Sequence, residues 1–161
     1  MISCLIFSNP ISTPWLLFAV YEPVRSAEKR VFWENLHMSV DRFSGGWLVL
    51  GDFNGVLYQS NRHGGRESAS SSVHMIKALD YSGLVEIPST RLKYTWSNGR
   101  IDDLVIRAKL DRGVANSEWW DLFPNADIKI HPSLSSNHSP ILLNSNGNAN
   151  FIQRPFRFKA I

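Results

Sequence analysis

Three short stretches carry side chains that could do chemistry. "GDFN", residues 51–54, puts a carboxylate and an amide where the apolar run "WLVL" gives out. "KLDR" places Asp111 at a second apolar-to-polar transition, and "SSNHSP" places His138 in a Ser-rich turn ahead of the apolar "ILL". An ionised carboxylate only accepts hydrogen bonds, whereas an amide both donates and accepts, so Asp52 and Asn54 together suit orienting water and gripping a phosphate oxygen. In a strand, residues two apart project from one face, and Gly51 ahead of them permits a close approach by another backbone or a ligand. A carboxylate that fixes the tautomer of a histidine is a recurrent catalytic pairing, and Asp111 with His138 offers one. Each residue also has a plain alternative: Asp52 and Asn54 as turn residues satisfying local backbone, His138 as a surface turn histidine.

Elements must bring these positions together. "WLLFAVY", residues 15–21 between Pro14 and Pro23, reads as a buried strand, and "WLVLGDFN" as a second one. Between them "SAEKRVFWENLHMSVDRF" reads as a helix, with Ser26 as N-cap, Val31, Phe32, Leu36, Val40 and Phe43 on its apolar face, and Gly45-Gly46 as its stop. Strand, helix, strand predicts α/β layering. A polar loop with Arg62, His63 and Arg66 follows, then a helix over "SSSVHMIKALDYSGL". Beyond it come a hairpin in "YTWSNGRIDDLVIRAKLDRGVAN" turning at Asn98-Gly99, a short helix "SEWWDLF", and strands "ADIKIH" and "SPILLN".

The chain has 161 residues, 43% hydrophobic and 19% charged, which predicts one folded domain with a real core. Its formal charge of +3 is compatible with a polyanionic partner without demanding one. One cysteine, Cys4, excludes an internal disulfide and a Cys-rich zinc site, and reads as a small buried hydrophobe. No run approaches the ~20 apolar residues of a membrane span, and "MISCLIF" lacks a basic leader, so the sequence reads as a soluble intracellular chain, the nucleus being one candidate compartment. Residues 1–145 are expected to form the domain, and 146–161 an Asn-rich, then basic-aromatic tail.

"GDFN", "YTWSN", "LDR" and "SNHSPI", in that order, resemble the endonuclease/exonuclease/phosphatase superfamily of DNase I-like proteins. "FAVYEPVRSAEKRVFWENL" and "RPFRFKAI" further resemble the endonuclease domain of plant LINE-type, non-LTR retrotransposons; the resemblance covers nearly all of residues 13–161. It implies a four-layer α/β/β/α sandwich, here partial and lacking its N-terminal strands, and Mg²⁺-assisted phosphodiester hydrolysis of DNA. It also implies roles: Asp52 orients or deprotonates the attacking water, Asn54 holds a phosphate oxygen, Tyr21 stands near the scissile phosphate, and His138 donates to that phosphate with Asp111 fixing its ring. Tyr21 has an alternative as a core aromatic. Lys109, Arg112, Arg62, His63 and Arg66 are candidates for meeting nucleic-acid phosphates.

Two departures stand beside the matches. The resemblance implies roughly a further hundred residues ahead of this sequence, about the size of a small domain. They would carry an Asn and a metal-binding Glu, neither with a counterpart here. Where the family reads Ser-Asp-His, this chain has Asn137 in place of the acidic residue, the only position left as a weak metal ligand. Mg²⁺ is held by one or two carboxylates plus water, so weak metal binding is expected. Missing strands would leave apolar faces and an open sheet edge, so a partner protein or the missing half is expected to support folding. The alternative to an enzyme is a non-catalytic remnant that binds nucleic acid or serves a structural role.

Overall fold

The computed structural model describes residues 1–8, 13–65 and 72–147. A five-stranded sheet forms the middle of the molecule, built from β1 (Ile2–Ile6), β2 (Trp15–Tyr21), β3 (Trp47–Asp52), β9 (Asp111–Ala115) and β5 (Val85–Glu86), in the order β1-β2-β3-β9-β5. β2 and β3 run parallel, joined by helix α1 (Ser26–Val40); β9 lies antiparallel to β3. A second sheet has the order β11-β10-β6, from Ile141–Asn144, Asp127–Ile130 and Ser89–Thr90. A third, β4-β8-β7, is made of Arg62–His63, Arg107–Ala108 and Trp96–Ser97.

Alternation along the central strands creates two cores. Trp47 and Val49 of β3, with Phe18 and Val20 of β2 and Val114 of β9, face α1 and helix α2 (Val73–Tyr81), meeting Trp33, Leu36, Val40, Met75 and Leu79. The residues between them, Leu17, Leu48, Leu50 and Ala115, face the second sheet and pack with Ile128, Ile130, Ile141 and Leu143. Helix α3 (Ser117–Leu122) seals this inter-sheet core with Trp119; Asn116 caps it, its Oδ1 accepting from Trp119 N at 3.1 Å and Trp47 N at 2.8 Å. Helices, sheet and sheet are thus three of the four expected layers. Leu142, 52% exposed, marks the outer face of the second sheet as uncovered among the described residues.

Several expectations need correction. The buried stripe of α1 is Lys29, Trp33, Leu36 and Val40, while Val31 is exposed. A charged residue heads the stripe because it has a buried partner, described below. Arg25, not Ser26, is the N-cap, and it makes no side-chain cap bond. Asn98-Gly99 is no two-residue turn: β7 pairs with β8 across a longer loop that Asn98 organises. Its N–H donates to Ile106 O at 3.0 Å, its Oδ1 accepts from Arg100 N and Ile106 N, and its Nδ2 donates to Leu104 O, so the side chain closes the loop beyond the last ladder bond. Cys4 is exposed, because β1 is the sheet's edge strand and both its faces lie open. Ile2, Leu5 and Phe7 are likewise exposed there. Of the expected 146–161 tail, only residues 146 and 147 are described. No helix among the described residues is long and apolar enough to cross a membrane.

Candidate active site

The site grows from the register of three strands. Tyr21 pairs with Asp52 across β2 and β3, and Asp52 pairs with Asp111 across β3 and β9, so the three side chains stand in a row at one end of the central sheet. Gly51 makes the first pairing possible: at φ +148°, any Cβ it carried would lie 2.0 Å from Val20 O. After Asp52 the strand ends. Asn54 turns into the left-handed region at φ 41°, its backbone N–H donating to Asp52 Oδ1 at 2.8 Å. Asp52 and Asn54 therefore reach the same cavity through a turn rather than through the pleat.

His138 arrives from the far end of the chain. The segment around it runs beside β7: Trp96 bridges His138, Ser97 N donates to Asn137 O at 3.0 Å, and Ser139 N donates to Thr95 O at 2.7 Å. His138 Nδ1 lies 3.0 Å from Asp111 Oδ2, and Nε2 lies 3.9 Å from Asp52 Oδ2. Since an ionised carboxylate only accepts, Asp111 accepts the hydrogen bond from Nδ1–H and leaves Nε2 facing Asp52 and the cavity. Buried Thr95 sets Asp111 in turn, its Oγ1 accepting from both Leu110 N and Asp111 N at 2.9 Å. Tyr21, Asp52, Asn54, Arg62, Trp96 and His138 line a cavity of ≈ 370 Å³. Tyr21, 67% exposed, is a rim residue and not a core aromatic.

Burial pushes the pKa of Asp52 up; the Asn54 N–H opposes this, Asp111 adds to it, and His138 and Lys29 oppose it. A desolvated carboxylate beside a second one favours an arriving cation. Asp52, Asp111 and His138 each offer one ligand atom, all within 4.8 Å of one another. Two carboxylates suit a hard divalent cation in charge and spacing, while the imidazole is the less apt donor for Mg²⁺.

Not every expected residue joins them. Asn137 is exposed and lines a neighbouring cavity beside Gly99. Extended backbone alternates, so with His138 turned into the first cavity, Asn137 turns out of it. Lys109 and Arg112 are buried in the fold and cannot meet phosphates as expected. Lys109 Nζ lies 2.8 Å from Glu86 Oε1 and Arg112 Nη1 3.6 Å from it; Arg112 Nη2 also donates to Gly55 O at 3.2 Å and to Lys109 O. Arg62 lines the cavity with its Nε donating to Gly64 O, His63 is exposed, and Arg66 lies outside the described residues.

Sequence reasoning missed what lies beneath. Glu22 and Lys29, both fully buried, form an ion pair, and Trp33 Nε1 donates to Glu22 Oε1 at 2.6 Å. Lys29 Nζ also donates to Phe53 O at 3.3 Å and Asn54 O at 2.9 Å, and Asn54 Nδ2 donates to Glu22 O at 2.7 Å. The carbonyls of Phe53, Asn54 and Gly55 thus each accept from a buried cation, Lys29 or Arg112. The available signal was Glu22 directly after Tyr21, with Lys29 seven residues on in the first turn of α1.

The fold as a whole is similar to those of several solved structures. The endonuclease domain of TRAS1, a telomere-specific non-LTR retrotransposon, superposes with a TM-score of 0.60 at 17% identity, over 87% of this chain and 60% of that one. The fold is DNase I-like. An endonuclease/exonuclease/phosphatase family protein from Leptotrichia buccalis gives 0.57 at 14% identity, over 88% and 52%, and one from Bacteroides thetaiotaomicron 0.53 at 10%, over 88% and 54%. The chain therefore spans 52 to 60% of the length of these structures. No protein-family model and no curated protein matches the sequence.

Proposed function

We propose that residues 1–145 are a DNase I-like phosphodiesterase domain of retrotransposon origin, of the plant LINE-type endonuclease kind, that acts on DNA with weak turnover. The observation carrying this reading is the Asp52–His138–Asp111 trio, drawn from three distant parts of the chain to one end of the sheet with ligand atoms within 4.8 Å. The Asp52 carboxylate accepts from water and orients it toward the phosphorus. His138, its ring held through Nδ1 by Asp111, presents Nε2 to a phosphate oxygen and stabilises its charge when protonated. Asn54 has one amide hydrogen on Glu22 O and a second one to offer the phosphate, and Tyr21 borders the approach. Asp52 and Asp111 would hold a divalent cation, which when bound stabilises negative charge on phosphate oxygens.

The weakness follows from charge. Asn137 is neutral where the resemblance implies an acidic residue and stands outside the site cavity, so among the described residues Asp52 and Asp111 are the carboxylates left for a cation. That same loss favours a second reading, a nucleic-acid-binding remnant without turnover, supported in folding by a partner protein or further strands.

Supercoiled plasmid incubated with the protein and Mg²⁺ separates the two. The first reading expects slow nicking that Asp52→Ala and His138→Ala lower by about 10²–10⁴-fold, as for loss of a positioned acid or base. Absence of nicking over a wide range of protein and metal concentration would sink it. The remnant would then show binding that weakens steeply with salt and ignores Mg²⁺.

A further inference from the structure

A second cavity, ≈ 470 Å³, lies against the first and shares Trp96 with it. Its walls differ in charge. The first contains Asp52 beside Arg62; the second contains Lys93 and Arg107, and no carboxylate among the described residues lines it. Both cations are exposed, and neither has an ion-pair partner among the described residues. Lys93 Nζ sits 5.2 Å from the centre of the Tyr94 ring, so a cation and an aromatic face are offered together. The cavity therefore presents a phosphate-binding charge, a stacking surface and the polar amide of Asn137 in one place.

Strand geometry explains why the two cavities work as neighbours. Ala108 of β8 lines the first and Arg107 the second, as successive residues of one strand project to opposite faces. On the segment beside β7, His138 serves the first while Asn137 and Ser139 serve the second. A polyanion threading both would meet a cation on either side of the Trp96 partition.

We propose that the second cavity is a nucleotide subsite: it takes a phosphate and its base from the same single strand whose neighbouring phosphate reaches Asp52 and His138. The chemistry fits. Guanidinium and ammonium groups attract the backbone, while Tyr94 and Trp96 stack on bases without demanding a sequence. Lys93 and Arg107 are thus the phosphate-contacting pair in place of the buried Lys109 and Arg112. This inference rests on the nucleic-acid reading above, but it is separable from turnover.

The test is fluorescence anisotropy with a labelled single-stranded oligonucleotide in EDTA, across a salt series. The Lys93→Ala/Arg107→Ala variant should bind about tenfold more weakly or worse at low salt, and its log–log salt slope should drop by about 0.7 for each cation removed. Tyr94→Ala should lose about tenfold with the slope unchanged, since stacking carries no counterion. Arg30→Ala, on the outer helix, should bind like wild type. Unchanged affinity and slope in the double variant, with thermal melting intact, would overturn the subsite, as would absence of oligonucleotide binding by the wild type. Competition by a free nucleoside monophosphate as strong as by the oligonucleotide would overturn the assignment to a strand. Binding that depends on Lys93 and Arg107 without plasmid nicking would leave the subsite standing and remove only the hydrolysis. Nicking with binding indifferent to both cations would do the reverse.

Discussion

Two groups of charges surround the GDFN turn, and the fold treats them in opposite ways. Beneath the turn, Glu22 and Lys29 form a buried, charge-matched pair, and half-buried Glu86 faces the buried cations Lys109 and Arg112; Lys29 and Arg112 grip the carbonyls of residues 53–55. Above it, Asp52 and Asp111 share one half-buried histidine, leaving negative charge in excess. A matched buried pair adds little net stability over an apolar pair of the same shape, but losing one partner strands a charge in a medium that solvates it poorly. The lower group therefore fixes position, and the upper group keeps unbalanced charge available for a ligand.

The largest effect is expected below the turn. Lys29→Met should cost about 3–5 kcal/mol in urea unfolding, because Glu22 loses its buried counterion. Glu22→Leu combined with Lys29→Met should recover most of that loss. An equally unstable double variant would break the comparison, since the pair would then act through its individual bonds rather than its matched charge.

Next in size is the hinge between the two groups. Thr95→Val removes the acceptor shared by Leu110 N and Asp111 N and should cost about 1–3 kcal/mol. Hydrogen exchange should show the loss at those two amides first. Exchange changes centred instead on α2 would contradict the role given to the hydroxyl.

The smallest effect has the opposite sign. A carboxyl whose pKa is raised by burial holds its proton more tightly in the folded chain than in the unfolded one. Its contribution to stability is therefore complete below the ordinary carboxylate range, near 4, and is lost as pH rises through the raised value of Asp52. Asp52→Asn should accordingly be more stable than wild type at neutral pH, by about 1 kcal/mol, the usual gain on relieving a functional site. The difference between the two should shrink toward pH ~4. A difference constant with pH would show that Asp52 is not desolvated as described.

How much of this was legible in the sequence depends on whether a signal was local. The strand over residues 15–21 has the observed bounds because its apolar run is flanked by prolines and needs no distant help. Asp52, Asp111 and His138 could be singled out because each stands where an apolar run meets a polar turn. The face of α1 was misread at Val31, since apolar periodicity cannot anticipate a lysine inside, and Lys29 is inside only because Glu22 awaits it. Lys109 and Arg112 failed for the same reason: a basic residue near an acidic motif looks available until its counterion, the half-buried Glu86, is seen. Asn98 carried a turn signature whose effect depended on where its side chain found partners, six and eight residues on.

Position 51 shows what sequence drift can and cannot do here. Even the smallest side chain would drive a methyl into the carbonyl of Val20, prising the second strand from the third and parting Tyr21 from Asp52. Mutation at that codon cannot erode the cleft gradually; it unseats frame and chemistry in one step.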